Sequence, residues 1–392
     1  MLKYIFLILP LINSAISQEF SELSGYLQTD YRGFANKGLY TAQEQHYLSL
    51  SIEPKFYMEW ANGSQTLNAT VFARYDQYDD ERTHADIREL YWQYIADTWE
   101  ISLGLKKIYW GVIESNHLVD IINQTDAVES FDGEQKLGQP MAHLSYPTEN
   151  LGTFDIFILP YFRTRTFSGK EGRLRMPFHI DTENEHYESN AKNKRLDLAL
   201  RWTRTFDLFD IGISHFYGTN RSPQFIQGNN NSYNPYYTII HQTGLDAQLT
   251  TDAILYKLEF IRQKGTGYTY TAFSSGAEYT FGNISNSGVD VGILAEYHFD
   301  DRSKALASPF DNDLFFGSRI ALNDEQSTEL LVGSIIDLDN QSHLFSIEGS
   351  RRFGNSWKLT LETRAFFNID KTDFLYNIRE DTFTQVTIAK YF

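Results

Sequence analysis

No cysteine occurs in the 392 residues, so an exported chain of this length has to hold together without disulfides, through closed backbone pairing or a large core. Proline is scarce at 9 residues, and no Pro-rich or Ser-rich linker divides the chain. The uniform pattern predicts one large all-β unit rather than two average domains. No stretch reaches the ~18 consecutive apolar residues of a membrane-spanning helix. Cations are the minority sign: 34 Lys and Arg against 51 Asp and Glu leave a net charge of −17. That balance argues against a nucleic-acid partner and suits a solvated outer surface meeting divalent cations and lipopolysaccharide.

What the chain has in quantity is aromatic residues, 29 Phe and 25 Tyr. Aromatic girdles at two membrane interfaces would use them. The first 17 residues carry Lys3, the apolar run from Tyr4 to Ile12 and the small-residue pattern Ala15, Ile16, Ser17, which predicts a secretory signal peptide. Residues 18–392 then form the mature unit.

Alternation dominates that unit. Leu196, Leu198, Leu200 and Trp202 share one face of an extended strand, and Arg195, Asp197, Ala199 and Arg201 the other. Tyr256, Leu258 and Phe260 stand likewise against Lys257 and Glu259, Ile293 and Tyr297 against Glu296, and Leu359 and Leu361 against Glu362 and Arg364. Lipid on one side and water on the other account for this period of two. Strands are expected near 22–33, 46–59, 66–76, 86–96, 99–109, 141–146, 152–162, 194–205, 208–218, 238–249, 253–263, 270–281, 288–299, 313–323, 327–337, 343–353, 356–367 and 381–392. The expected architecture is an all-β, transmembrane, antiparallel up-and-down β-barrel of about 18 strands, or 16 if 141–146 belongs to a loop. Connections such as Asn62-Gly63, Asp207 and Gly354-Asn355 are short, whereas 77–85, 110–140, 163–193, 219–237, 300–312 and 368–380 are long. Short turns face the periplasm and long loops the outside.

Two segments carry most of the candidate chemistry. Residues 106–140 combine Trp110, Glu114, Asp120, Asn123, Asp126 and Glu129 with Leu118, Val119, Ile121, Ile122 and Val128. A merely solvated loop has no need of those apolar residues, and loops beyond ~15 residues are usually functional or disordered. The segment is therefore expected to fold into the lumen as a constriction, with an ordered external cap as the alternative. Residues 161–178 form the basic stretch, with Arg163, Arg165, Arg173 and Arg175. They are candidates for an opposing charged wall, for contacts to lipopolysaccharide phosphates, or for salt bridging between loops. Lys106, Arg201, Lys257, Glu259, Glu296, Glu362 and Arg364 are expected to line the lumen.

Other chemistry is thin. The carboxylates at Asp76, Asp79, Asp80 and Glu81, and at Asp300, Asp301, Asp311 and Asp313, lack the spacing of a calcium loop. Ser115 and His117 lie beside Glu114, and Ser214 beside His215, but no Gly-x-Ser-x-Gly elbow occurs, so no enzyme and no cofactor is expected.

The segment from Arg88 to Asp126 reads Arg88, Glu89, Tyr91, then Gly104, Lys106, Trp110, Gly111, then Asn123 and Asp126. In this it resembles Gram-negative outer-membrane porin-like barrels, in which an Arg-Glu-x-Tyr strand precedes a Gly-(Lys/Arg)-x-x-x-Trp-Gly strand end and an Asn-x-x-Asp loop; here Leu105 stands between Gly104 and Lys106. The resemblance implies an outer-membrane channel passing small polar or charged solutes by passive diffusion. It also leaves open a conduit for lipids or hydrophobic compounds working with an envelope export system, and a non-conducting structural or adhesive barrel. Expected partners are the solute, outer-membrane lipids and lipopolysaccharide, a second copy of the chain, and the barrel-assembly machinery through the C-terminal run DTFTQVTIAKYF. That run ends on Phe392 but places Lys390 where an apolar residue is usual; a Lys at the periplasmic interface can snorkel.

Overall fold

The structure, a computed structural model, describes residues 18–229, 232–302, 308 and 310–392. The leader expected over 1–17 lies outside them. Eighteen strands form one antiparallel sheet that closes on itself. In chain order they are β1 (Gln18–Phe34), β2 (His46–Trp60), β3 (Gln65–Asp76), β4 (His84–Ile95), β5 (Glu100–Lys106), β6 (Gln139–Thr148) and β7 (Gly152–Leu159). After the loop strands β8 (His179–Ile180) and β9 (His186–Tyr187) come β10 (Asp197–Phe206) and β11 (Phe209–Thr219). Two further loop strands, β12 (Gln224–Gln227) and β13 (Ser232–Tyr237), precede β14 (Ile239–Thr250), β15 (Ile254–Gly265), β16 (Tyr268–Phe281) and β17 (Asp290–Asp300). The barrel ends with β18 (Asn312–Ala321), β19 (Glu329–Asp337), β20 (His343–Phe353), β21 (Trp357–Phe367) and β22 (Phe383–Tyr391). The loop strands β8, β9, β12 and β13 make a separate small sheet.

The ring closes where β22 pairs with β1. Its last step is a reciprocal pair of bonds between Gly25 and Phe392, both at 3.0 Å. A side chain at Gly25 has no room, since a Cβ would stand 2.5 Å from the Glu53 carbonyl and 2.9 Å from the Phe392 ring. Lys390 donates from Nζ to Ser356 Oγ at 2.6 Å and lies 4.9 Å from the Trp357 ring, so its charge is carried to the turn end of the wall.

The burial pattern is the reverse of a soluble protein's. Leu198 and Leu200 are 43% and 56% exposed, whereas Asp197 at the start of β10 is 1% exposed and Glu259 on β15 is 0% exposed. Such a wall is stable only with hydrocarbon outside, where closure leaves no backbone edge unpaired. No helix among the described residues is long and apolar enough to cross a membrane. Exposed aromatics, including Trp99, Tyr146, Phe281, Phe353, Trp357 and Phe392, gather beside the short turns. They form the girdle that the aromatic surplus anticipates.

The expected count of eighteen strands holds, and two details differ from expectation. The 141–146 segment is a full barrel strand running over Gln139–Thr148, so the count is eighteen and not sixteen. The strand expected over 99–109 stops at Lys106, because the Asn123 side chain takes over there: Oδ1 accepts from Ile108 N and Nδ2 donates to the Lys106 carbonyl. At the long-loop end β15 and β16 are joined by Thr266 and Gly267 alone.

Candidate functional site: the segment across the lumen

Between β5 and β6 the chain leaves the wall and packs against inward-facing side chains. Asn123 ties its stems, donating from Nδ2 to the carbonyls of Lys106 and Leu137, both at 2.9 Å. Trp110, Val119, Ile121 and Ile122 then bury themselves against Met141, Phe157, Phe216, Ile240 and Ile261 of the barrel's inner surface. Trp110 meets Phe157 edge-on at 5.6 Å. The Arg201 guanidinium covers its ring at 4.9 Å while forking onto Asp246 with two bonds of 2.8 Å.

Two strand carboxylates hold the segment by its main chain. Glu259 on β15 accepts from the amides of Val112 at 2.7 Å, Ile113 at 3.0 Å and Val119 at 3.1 Å. Gly111, at φ 122°, brings the backbone that close; a Cβ there would meet Glu259 Oε1 at 2.7 Å. Glu296 on β17 accepts from the amides of Glu114 and Ser115 and from Ser115 Oγ at 2.6 Å. Glu114 in turn receives Arg319 Nη2 at 2.6 Å, with Lys257 Nζ 3.9 Å away.

Across the ring the anchors are cations. Arg74 on β3 grips Glu129 with three contacts of 2.9 to 3.1 Å and also pairs with Asp30. Arg88 on β4 pairs with Glu53 at 3.1 Å and lies 3.7 Å from Glu129. It sits at a bulge, since Thr70 pairs with Glu89 and Val71 with Ile87, skipping Arg88. The extra residue lets both Arg88 and Glu89 face inward, and Glu89 accepts from Lys107 N at 3.3 Å. Arg364 Nη2 reaches Asp132 at 2.8 Å, and Phe131 packs edge-on to Phe366 at 5.9 Å. The segment thus runs from the β15–β18 wall to the β3, β4 and β21 wall.

Charge within the segment is balanced locally. Burial would raise the Glu129 carboxyl, but the Arg74 guanidinium and those of Arg82 and Arg88 hold it below its ordinary value. Asp126, buried and beside Glu129, is pushed up. Its Oδ1 accepts from Thr166 Oγ1 at 2.9 Å, which joins the segment to the Arg-rich loop. Asp120 is raised by burial against the pull of Lys136, 3.4 Å away. His117 Nε2 contacts Glu134 at 2.9 Å, and that bond raises the imidazole above its usual value.

The four arginines of the basic stretch divide into two kinds. Arg163 pairs with Asp86 at 2.8 Å, and Arg173 with Asp381 at 2.7 Å and with the carbonyls of Asn36, Glu44 and Glu380. Arg165 and Arg175 have no carboxylate partner among the described residues; Arg175 lies over the Tyr40 ring at 4.1 Å and donates to Met176 O. Both line a cavity of 1030 Å³ together with Arg32, Glu129, Asp132 and Arg364. Of the other lumen candidates, Lys106 donates to Ser102 Oγ at 3.0 Å and Glu362 lies 3.5 Å from Arg364 Nε.

Ser115 Oγ also lies 2.8 Å from His298 Nε2, the spacing of a nucleophile and its base. The Glu296 carboxylate, however, occupies the very amides that would have to stabilise an oxyanion there. The group is an anchor for the segment. Ser214 and His215 point to opposite sides of β11, one buried and one exposed, so they do not pair. Asp311, Asp337 and Asp339 bring carboxylate oxygens within 4.8 Å of one another. Both Asp337 oxygens already accept bonds from Asp339 and Asn340. Arg74, Arg319 and Asp30 escaped the sequence reading, although their inward parity in strands of known phase was available to find them.

No protein-family model matches the chain, and no curated protein matches it in sequence. Among solved structures it is similar to Wzi of Escherichia coli, an outer-membrane protein involved in group 1 capsule assembly and described as a carbohydrate-binding β-barrel. The TM-score is 0.54 and the identity 10%, over 93% of this chain and 83% of that one. A substituted porin of Rhodopseudomonas blastica matches with a TM-score of 0.45 and 13% identity, over 95% of this chain and 100% of that one. At 10% identity the likeness to Wzi concerns the fold, and it agrees with the closed ring and the apolar outer wall. The chain therefore has the closed, antiparallel fold of an outer-membrane β-barrel.

Proposed function

We propose that the barrel is a passive channel for small polar and charged solutes, constricted by the segment over 110–140 and flanked outside by the Arg-rich loop of 163–193. The observation that carries this reading is the anchoring of one loop on opposite walls, by Glu259 and Glu296 on one side and Arg74 and Arg364 on the other. A loop so held narrows an aqueous lumen without depending on a partner, and the adjoining cavity of 1030 Å³ is of the size that takes a small solute. Diffusion down a gradient needs neither cofactor nor catalytic group. The cavity combines the aromatic rings of Phe167, Phe178 and Phe225 with Arg165 and Arg175, so anionic sugars are fitting probes. The terminal strand β22 supplies the surface for the assembly machinery.

A non-conducting barrel is the second reading, favoured by how completely Ile113, Val119 and Ile122 are buried. The inner wall offers no continuous apolar track, which counts against a lipid conduit. Single-channel recording in planar bilayers, beside a variant lacking residues 112–138, separates these readings. Steady current that rises several-fold on deletion is expected. Silence in the intact chain with current in the variant would mean a plugged barrel, and silence in both would end the channel reading.

A further inference from the structure

The lipid-facing side of β15 breaks its apolar pattern at the long-loop end. Tyr256, Leu258 and Phe260 are exposed, and the next two outward positions are the exposed Arg262 and Lys264, directly before the Thr266-Gly267 turn. The same row is polar on the neighbouring strands. Thr243 and His241 of β14 stand opposite Arg262 and Lys264, and Thr271 of β16 stands opposite Arg262. On β11, His215 Nδ1 lies 2.9 Å from Thr243 Oγ1, and Tyr217 stacks on His241 at 4.3 Å. One row nearer the turn end the surface returns to hydrocarbon, with Leu245, Phe260 and Phe273 in register.

Among the described residues, Arg262 and Lys264 are the only Arg and Lys of the barrel strands that face outward at this end; Arg195, just before β10, also reaches this face over the Tyr217 ring at 4.5 Å, but it is paired with Asp197. Neither Arg262 nor Lys264 has a hydrogen bond or an ion pair there. Two carboxylates stand on this side and both accept other bonds: Asp301 from Thr271 N at 2.6 Å, and Glu188 from Ile239 N at 2.7 Å and from Thr266 Oγ1. A lipid-facing charge costs about 2–4 kcal/mol at the bilayer midplane and about 0–1 near an interface, so this pair belongs at headgroup level. The end that carries the long loops faces the outer leaflet. There two adjacent cations without protein partners meet anionic headgroups; a guanidinium binds phosphate bidentately and an ammonium adds a point charge.

We propose that this patch is a binding site for a phosphorylated glycolipid of the outer leaflet. Arg262 and Lys264 hold its phosphate, the Tyr217 and His241 rings lie beside its sugar, and Phe260 and Phe273 pack on its acyl chains. This is independent of whether the lumen conducts. It also differs from the expectation that the 161–178 arginines make such contacts, because Arg163 and Arg173 are spent on Asp86 and Asp381.

The test uses the purified full-length chain in nanodiscs, titrated with lipid A and with enzymatically dephosphorylated lipid A, and read by native mass spectrometry. Arg262→Gln with Lys264→Gln is expected to weaken lipid A binding roughly 30-fold, from two surface cations each contributing to attraction. Dephosphorylated lipid should bind the unmodified chain as weakly. Arg204→Gln, at the opposite end of the outward wall on β10, should leave binding unchanged and serves as the folding control. Equal affinity in the double variant, or no preference for the phosphorylated lipid, overturns the proposal. Loss of an oligomer without loss of lipid also overturns it and assigns the face to a second copy of the chain.

Discussion

Glu259 does at one point what a helix N-terminus or a turn does elsewhere, satisfying three backbone amides of a segment that has no regular partner. Replacing it with Ala leaves those amides buried without acceptors, each costing about 1–3 kcal/mol. The Glu259→Ala chain should therefore lose ~3 kcal/mol or more of local stability in the segment, seen as faster hydrogen exchange at Val112, Ile113 and Val119, with Glu259→Gln in between. Unchanged exchange in both would show that the apolar contacts of Trp110 and Val119 suffice. His117 adds a pH dependence of opposite sense to the acid-labile carboxylates. Its bond with Glu134 raises the folded imidazole above the unfolded value of about 6.5, so the contribution is complete below that value and is lost as pH rises through the folded one. Protection factors over residues 112–134 should fall on going from about pH 6 to about pH 9. His117→Gln should flatten that fall; a fall of the same size in the variant would remove His117 from the account.

At the level of elements, strands were legible and anchors were not, for the same physical reason. A lipid-facing wall repeats its apolar residue at every second position, so the eighteen segments and the inward sides of Arg201, Glu259 and Glu296 follow from parity alone. The apolar run of Leu118 to Ile122 likewise reads as buried, because water alone does not call for it. Which wall it is buried against is a matter of tertiary register, which no local period encodes. Arg88 shows the limit. Strict alternation cannot place both Arg88 and Glu89 inward, and only the bulge between Thr70 and Val71 of the partner strand reconciles them. The 161–178 arginines show another: a run of like charge reads as a wall, but Arg173 turns out to be 4% exposed and capped by three carbonyls and Asp381. A charge run gives the sign of a segment without giving its partners.

For the whole molecule, net charge and lumen charge point in different directions. The chain carries −17, yet most carboxylates around the cavity meet a cation: Glu129 meets Arg74, Asp132 and Glu348 share Arg364, Asp120 meets Lys136, Glu114 meets Arg319, Glu134 meets His117 and Asp76 meets Arg82, while Asp79 accepts from the amides of Glu81 and Gly169 instead. Arg32, bonded to Gln385, and Arg165 and Arg175 remain on the same cavity without carboxylate partners. What a permeating ion meets is the local field and not the sum over the surface, because outer charges are screened within about 10 Å at moderate salt. A guanidinium about 4 Å from an anion, at an effective dielectric near 20, contributes ~4 kcal/mol before screening, and a third of that is roughly tenfold in permeability. The channel should therefore favour chloride over potassium despite the acidic chain, read as the sign of the reversal potential in a KCl gradient. Replacing Arg32, Arg165 and Arg175 with Gln together should bring that potential to zero or invert it, while single-channel current persists. A cation-selective potential in the unmodified barrel would mean that the rim carboxylates, and not these guanidinium groups, set the field along the path.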